Sequence, residues 1–248
     1  MDLKTEKHTN LGSALRKAGS ALALLAFAVS ARANLVQNGS FSLSTSGPGQ
    51  LGLITTATDW TSAAPEGSYN FLFSPATALT GVSSEFGTDD VSLYGVTASP
   101  DGGNFVGGDG DFPGHNGPLQ QTISGLIVGD TYTLGFYWAA AQQNGFSGAT
   151  EQSWSATLGG VTQTTATYDL PSEGFSGWFY QTFNYKATST SETLAFVANG
   201  NLPIPPFALL DGVSLNQTPE PGYWIPGVGL LGLMAGLGVL RSKKLVKS

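Results

Sequence analysis

Hydrophobic and polar side chains alternate with a period of two along most of the chain, from residue 34 to residue 216. The stretch TYTLGFYWA shows the pattern clearly, because every second residue from Tyr132 to Trp138 is large and apolar. Its other face carries Thr131, Thr133, Gly135 and Tyr137. Such alternation predicts a β-strand with one buried face. No stretch after Ala33 has the apolar stripe of a sustained helix.

A tight hairpin is predicted at Gly159-Gly160, inside SWSATLGGVTQTTATY. Glycine tolerates the positive φ angles of a two-residue hairpin turn, so a strand is expected on either side. Further strands are expected at Tyr69–Phe73, Val91–Val96, Leu119–Ile123, Trp178–Tyr185, Thr193–Val197 and Ala208–Leu215. Eight or more short strands separated by turns rich in Gly, Pro and Asp predict an all-β fold. We expect a single antiparallel β-sandwich domain over residues 34–216.

Charge is distributed unevenly along the 248 residues. Nine of the ten Lys and Arg lie in the first 32 or the last 8 residues, so Lys186 is the one base between Asn34 and Thr218. Fourteen Asp and Glu bring the net charge of that stretch to about −13. Nucleic acid is therefore a poor partner, because phosphate binding depends on Lys and Arg. With no cysteine, the chain has no disulfide and no thiolate chemistry.

The N-terminal residues 1–33 have the three parts of a secretory signal peptide. Four bases precede an apolar stretch over residues 18–29, and Ala31 and Ala33 supply the small residues that signal peptidase requires. An apolar stretch of about a dozen residues is too short to cross a bilayer of about 30 Å as a helix. We expect signal peptidase to cleave after Ala33; a buried core helix is the alternative.

A second apolar stretch, residues 223–240, is 18 residues long and uncharged. This is long enough for a transmembrane helix. The basic tail, residues 241–248, belongs on the cytoplasmic side under the positive-inside rule, which places the sandwich domain outside the membrane. Gly232 and Gly236 have the spacing of a close helix-dimer contact, which leaves a dimerising anchor as an alternative.

A short linker, residues 217–222, contains Pro219, Glu220 and Pro221 directly before the apolar helix. This order of triplet, glycine-rich helix and basic tail resembles the PEP-CTERM sorting signal of Gram-negative bacteria, also catalogued as an ice-binding protein C-terminal motif. The resemblance implies recognition by an exosortase-type membrane peptidase and removal of the helix. The exported protein would be anchored transiently in the inner membrane before reaching the cell surface or exopolysaccharide matrix. The catalogue name implies no ice binding, and an ordinary single-span anchor is the alternative.

Three phrases in the predicted sandwich resemble the galactose-binding-like jelly-roll group, which includes many bacterial carbohydrate-binding modules. They are NLVQNGSF at residues 34–41, LQQTISGLIVGDTYTLGFYW at residues 119–138 and LLDGVSL at residues 209–215. The resemblance implies a jelly-roll fold. It says little about activity, since such sandwiches carry many functions.

Calcium is the cofactor that this resemblance implies, because members of the group often hold a structural calcium between the first and last strands. Asp211 matches the acidic ligand of the last strand, whereas Ser42 stands where many members have a carboxylate. A second acidic cluster contains Asp101, Asp109 and Asp111 among glycines, without the spacing of an EF-hand loop. The alternatives are an exposed or edge-capping Asp at the first site and a solvated turn at the second.

Catalytic chemistry finds few candidates in the sequence. His115 is the one histidine that remains after signal cleavage, and no nucleophile elbow lies near it. One histidine without cysteine is also too few for a zinc site. We therefore predict no enzyme, with a paired-carboxylate glycosidase as the alternative, because spacing along the chain does not show which acids face each other.

Carbohydrate binding would require an exposed aromatic side chain beside hydrogen-bonding groups. The candidates are Trp60, Trp154, Trp178 and Tyr180, of which two are expected to be buried, since most Trp in a sandwich lie in its core. We expect a structural or adhesive component of the cell surface or exopolysaccharide matrix. The alternative is a carbohydrate-binding, lectin-like module with a structural calcium. Because the domain is acidic, divalent cations would bridge it to an anionic polysaccharide.

Overall fold

Two antiparallel sheets form the framework of the chain that the computed structural model describes, which is residues 34–62, 68–112, 115–201 and 204–219. The predicted signal peptide, the transmembrane helix at residues 223–240, the basic tail, Glu220 and Pro221 lie outside these ranges. Pro219 is the last described residue. Within the described ranges no helix has the length and apolar character needed to cross a membrane.

Twelve strands and one short helix are described. In chain order they are β1 Gly49–Gln50, β2 Thr61–Ser62, β3 Asn70–Phe73, α1 Pro75–Thr80, β4 Phe105–Asp109, β5 Leu119–Ser124, β6 Thr131–Gln142, β7 Thr150–Leu158, β8 Val161–Thr164, β9 Tyr168–Leu170, β10 Phe179–Lys186, β11 Ser191–Gly200 and β12 Pro206–Gln217. The first sheet has the order β1-β3-β4-β12-β6-β10. The second has the order β2-β5-β11-β7-β8, with β9 also paired to β7.

The predicted strand at TYTLGFYWA is confirmed and is longer than expected. It is β6, which pairs with β10 on one side and β12 on the other. The hairpin prediction is confirmed too, since Gly159 and Gly160 have φ angles of 57° and 80° between β7 and β8. Both glycines therefore adopt the left-handed backbone that this turn requires.

The expected strand at Val91–Val96 is wrong, because Val91 and Leu93 form isolated bridges only. β4, in contrast, is a strand that the sequence did not predict. It is fully buried, although the sequence indicated either a metal site or a solvated turn in this segment. A Cβ at Gly107 would lie 2.9 Å from the Phe73 ring, and one at Gly108 would lie 3.3 Å from the Trp154 ring. Glycine is required there because aromatic rings press on both faces of the strand.

The main hydrophobic core lies between the two sheets. From β6, Tyr132, Leu134, Phe136 and Trp138 point into it, as their alternation predicts. Large aromatic side chains from both sheets fill the centre, where Phe136 lies edge-on to Phe196 at a centroid distance of 5.3 Å. Burial of such side chains supplies the main stabilisation of a sandwich without disulfides.

A second apolar cluster covers part of the outer face of the first sheet. The chain between β3 and β4 forms its cover, beginning with α1, whose Ser74 and Thr77 make a reciprocal capping box. This helix has six residues, too few to produce the apolar stripe of a sustained helix in the sequence. The cover packs on Phe207 and Leu209 of β12 and on Ala139 and Ala141 of β6, whereas no residue of β10 belongs to this cluster. One end of this sheet face therefore remains open.

Candidate functional site

Two of the four aromatic candidates are buried. Trp60 is 3% exposed and Trp154 is 0% exposed, and both belong to the core between the sheets. Their indole nitrogens donate to backbone oxygens, Trp60 to Asn38 at 3.1 Å and Trp154 to Leu209 at 2.9 Å. Neither ring can meet a ligand in solution, so the prediction that they bind carbohydrate is wrong.

Trp178 has a mainly structural position at the margin of the second cluster. Its ring meets Phe105 edge-on, with the centroids 5.4 Å apart, and its indole nitrogen donates to the Thr97 oxygen at 3.1 Å. These contacts fix the covering segment to the start of β10. The Trp178 ring therefore packs against the covering segment and is not free to contact a ligand.

Tyr180 is the one member of the four with a largely exposed side chain, at 59%. It lies opposite Tyr137 in the β10–β6 pairing, and the two ring centroids are 5.0 Å apart. The Tyr180 hydroxyl reaches over Gly135, where an added Cβ would collide with it. Because Gly135 has no side chain, the Tyr180 ring can lie along the sheet and present an aromatic surface.

Polar, uncharged side chains continue this surface across three neighbouring strands. We call this surface the tyrosine face; it comprises Tyr180, Thr182 and Asn184 of β10, Thr133, Gly135 and Tyr137 of β6, and Ser214 and Asn216 of β12. The Thr133 hydroxyl donates to the Asn184 side-chain oxygen at 2.8 Å. The face thus places an aromatic pair beside a row of hydroxyl and amide groups held by the sheet.

Sequence reasoning missed Tyr137 as a site residue, although alternation correctly placed it on the face opposite the core. Its partner, Tyr180, lies 43 positions further along the chain. Only the register of β6 against β10 brings the two rings together. The sequence therefore showed which face of the strand carries Tyr137, but not that Tyr180 lies beside it.

The acidic residue predicted as a calcium ligand occupies an unusual position. Asp211 of β12 is 0% exposed, and neither of its carboxylate oxygens has a well-formed hydrogen bond. The Ser99 hydroxyl and the Gly212 amide lie close enough to favour the ionised form in part. Burial nevertheless dominates and, helped by the negative charge of Asp101, raises the pKa of Asp211 to about 7.

Asp101 lies next to Asp211, not with the two aspartates that follow it in sequence. A Cβ on Gly212 would be 3.1 Å from the Asp101 Cβ and 2.9 Å from the Tyr137 ring. Grouping Asp101 with Asp109 was therefore wrong, because β4 intervenes and carries Asp109 to its far end. Asp109 is buried, accepts a bond from the Asp111 amide at 3.0 Å, and has its pKa raised to about 7 by burial.

A calcium ion fits the donors around Asp211. The orphaned, buried carboxylate, the adjacent Asp101 carboxylate and the Ser99 hydroxyl are hard oxygen donors, which Ca²⁺ prefers. The resemblance expects an acid at position 42, which is Ser42 in this chain. Ser42 lies beside Gly103, and Gly103 belongs to the same loop as Asp101. No group of three or more acidic, His or Cys side chains suited to a metal occurs within the described ranges. Backbone oxygens or water would therefore have to complete the coordination.

His115 is positioned by packing and by one carboxylate. Its Nδ1 lies 3.6 Å from the Glu85 Oε1, and its ring packs on Phe112 at a centroid distance of 4.3 Å. Its backbone oxygen accepts the Tyr69 amide at 2.8 Å. These contacts join the loops at one edge of the first sheet.

A polar groove of about 330 Å³ lies on the opposite side of the sandwich, on the second sheet. Its lining is Gln37, Asp59, Thr61, Gln120, Gln121, Thr122 and Thr193. The buried Gln121 holds the groove together by accepting the Gln37 amide at 2.8 Å and donating to the Asp59 oxygen at 3.0 Å. The groove offers hydrogen bonds but no aromatic surface.

Comparison with known proteins gives structural similarity alone. No family model and no curated protein matches the sequence. Several solved structures are similar at low sequence identity. TmCBM61 in complex with β-1,4-galactotriose is 13% identical, with a TM-score of 0.43, and the match covers 75% of this chain and 100% of that one. The CBM22-1 xylan-binding domain of Paenibacillus barcinonensis Xyn10C is 11% identical, with a TM-score of 0.38 and coverages of 73% and 93%. A putative sugar-binding protein from Bacteroides thetaiotaomicron is 11% identical, with a TM-score of 0.36 and coverages of 75% and 100%.

Proposed function

We propose that this chain is an exported carbohydrate-binding protein that acts as an adhesive component of the cell surface or extracellular matrix. The tyrosine face is the observation that carries the proposal. Sugar rings have an apolar C–H side and a rim of hydroxyl groups, so they suit an exposed aromatic ring flanked by hydrogen-bonding side chains. Tyr180 and Tyr137 supply the rings, and Thr133, Asn184 and Ser214 supply the polar groups.

The location of these groups on strands supports a binding role. Tyr180 and Tyr137 project from two paired strands, and the pairing continues over eight positions from Phe179–Trp138 to Lys186–Thr131. A site held by a sheet loses little conformational freedom when a ligand binds. Export supplies the setting, since a signal peptide and a PEP-CTERM sorting signal would deliver the domain to a polysaccharide-rich surface.

Replacing Tyr180 with alanine should weaken glycan binding at least tenfold, because the exposed aromatic ring of the tyrosine face is lost. The measurement is calorimetric titration with a hexamer of β-1,4-linked glucose, preceded by a glycan array. Gly135→Ala should also weaken binding, since the new Cβ displaces the Tyr180 hydroxyl. The matched control is Phe86→Ala, which removes a 64% exposed ring far from the tyrosine face.

The groove on the second sheet gives this experiment its alternative outcome. If Gln120→Ala abolishes glycan binding while Tyr180→Ala leaves it unchanged, the ligand lies in the groove and the tyrosine face is not the site. Release of reducing sugar by the wild-type protein would instead indicate a glycosidase and contradict a purely binding function.

Cleavage at the sorting signal should leave a mature protein that begins at Asn34 and ends near Pro221. Intact-mass analysis of the surface fraction measures both ends at once. Replacing Pro219, Glu220 and Pro221 with alanine should retain the full C-terminus in the inner membrane. A surface-located protein that still ends at Ser248 would contradict sorting by an exosortase-type peptidase.

A further inference from the structure

Lys186 lies on the same side of β10 as the exposed Tyr180. The residues between them that share this orientation are Thr182 and Asn184, and all four side chains are exposed. Lys186 is opposite Thr131 in the β10–β6 pairing, at the end of the tyrosine face away from the aromatic pair. One strand therefore presents, in order, an aromatic ring, a hydroxyl, an amide and an ammonium group.

The charge of Lys186 is exceptional in its surroundings. It is the one base between Asn34 and Thr218, a stretch that contains fourteen acids. Despite this excess, Lys186 forms no ion pair within the part of the chain that the structure describes. The nearby Asp130 is engaged elsewhere, since its carboxylate accepts a hydrogen bond from the Gln217 side chain. The Lys186 ammonium is therefore available to a ligand.

The distance along the strand suits an extended chain of sugars. Tyr180 and Lys186 are six residues apart, which corresponds to about 20 Å at roughly 3.3 Å per strand residue. The side chains between them are uncharged on all three strands of the tyrosine face. A linear glycan that stacks one ring on Tyr180 could thus extend over Thr182 and Asn184 before it reaches the ammonium group.

We propose that the tyrosine face binds an acidic linear polysaccharide, with one sugar ring stacked on Tyr180 and a sugar carboxylate paired with Lys186. This inference rests on the proposed carbohydrate-binding function and specifies the class of its ligand. Repulsion between the net negative charge of the domain and a polyanion is largely screened beyond the Debye length, which is about 8 Å at physiological ionic strength. Between Tyr180 and Lys186 the side chains of the tyrosine face are uncharged, so Lys186 is the charge that a ligand stacked on Tyr180 meets along β10. The Asp101 and Asp211 carboxylates lie at the other end of the face, beside Tyr137.

The test compares two probes that differ only at C6, the β-1,4-linked hexamers of glucose, with a hydroxymethyl group, and of glucuronate, with a carboxylate. In the presence of a chelator, the wild-type protein should bind the glucuronate hexamer about three- to fivefold more tightly, the gain expected of one exposed ion pair. Lys186→Gln should abolish this preference and leave affinity for the glucose hexamer unchanged. Lys186→Arg should retain it, and Tyr180→Ala should weaken both probes.

The possible failures are distinguishable. Equal affinity for the two hexamers, unchanged by Lys186→Gln, would overturn the acidic-ligand inference and leave the carbohydrate-binding function intact. A preference for glucuronate that requires added calcium and survives Lys186→Gln would assign the carboxylate to a bound cation and also overturn it. Loss of binding to both hexamers in the wild-type protein, together with a blank glycan array, would overturn the proposed function itself.

Discussion

Replacing Trp154 with alanine should lower the free energy of unfolding by about 3–5 kcal/mol, the usual cost of removing a large aromatic side chain from a core. Trp154 is fully buried and lies edge-on to Phe196, with the ring centroids 6.1 Å apart. Its indole nitrogen also donates to the Leu209 oxygen, which would lose a buried partner. The measurement is equilibrium unfolding in urea, followed by tryptophan fluorescence and circular dichroism.

Tyr180→Ala is the matched comparison for Trp154→Ala. Both changes remove an aromatic ring from a strand, but Tyr180 is mostly exposed, so its loss should change stability by less than about 1 kcal/mol. Trp154→Phe should recover part of the lost stability, because it restores ring volume without the indole donor. Similar unfolding curves for Trp154→Ala and the wild-type protein would show that the ring is not packed in the core.

Calcium-free protein should lose stability as the pH rises from about 4 to 7. Burial raises the pKa values of Asp109 and Asp211 to about 7 from the ordinary value of 3.8, so the folded state binds more protons than the unfolded state in this window. The stabilisation is therefore complete below pH 3.8 and is lost as the pH passes 7. Each pKa unit corresponds to about 1.4 kcal/mol, so the combined loss should be several kcal/mol. Thermal unfolding in a chelator measures it.

Calcium should reverse this loss at Asp211 but not at Asp109, since both Asp211 oxygens lack a well-formed hydrogen bond whereas Asp109 already accepts the Asp111 amide. At pH 7.5, calcium at a hundred times its dissociation constant should add about 2.7 kcal/mol to the free energy of unfolding. Asp211→Asn should remove the calcium response, whereas Asp109→Asn should retain it and flatten the pH dependence. An undiminished response in Asp211→Asn would place the ion elsewhere.

The fold was predictable where a local pattern carries the structure. Alternation located β6 and its buried face, and the two glycines located the β7–β8 hairpin. β4 was not predictable by the same means, because Gly107 and Gly108 have no side chains to alternate. Their role depends on the rings of Phe73 and Trp154, which reach them from distant parts of the chain.

The candidate site was predictable only in fragments. The sequence identified Tyr180 as a candidate together with Trp60 and Trp154. The two tryptophans are buried and Tyr180 is exposed, and sequence alone does not show which tryptophans a sandwich buries. Asp211 and Asp101 were identified as parts of separate sites, because they lie 110 positions apart and meet only through the contact at Gly212. Such pairings depend on which strands become neighbours, and that information is spread over the whole chain.

The position of β12 has a mechanical consequence. This last strand lies between β4 and β6, and the backbone of Leu35 also donates to the Leu215 oxygen at 3.0 Å. A pull on the chain beyond Thr218 acts along β12 and loads the β12–β6 ladder in shear, because this ladder runs from Pro206 to Gln217 whereas β4 pairs only with Phe207–Leu210. Tension between the C-terminal side of the domain and a glycan on the tyrosine face would cross only the β12–β6 and β6–β10 ladders. The second sheet would remain outside the path of the force.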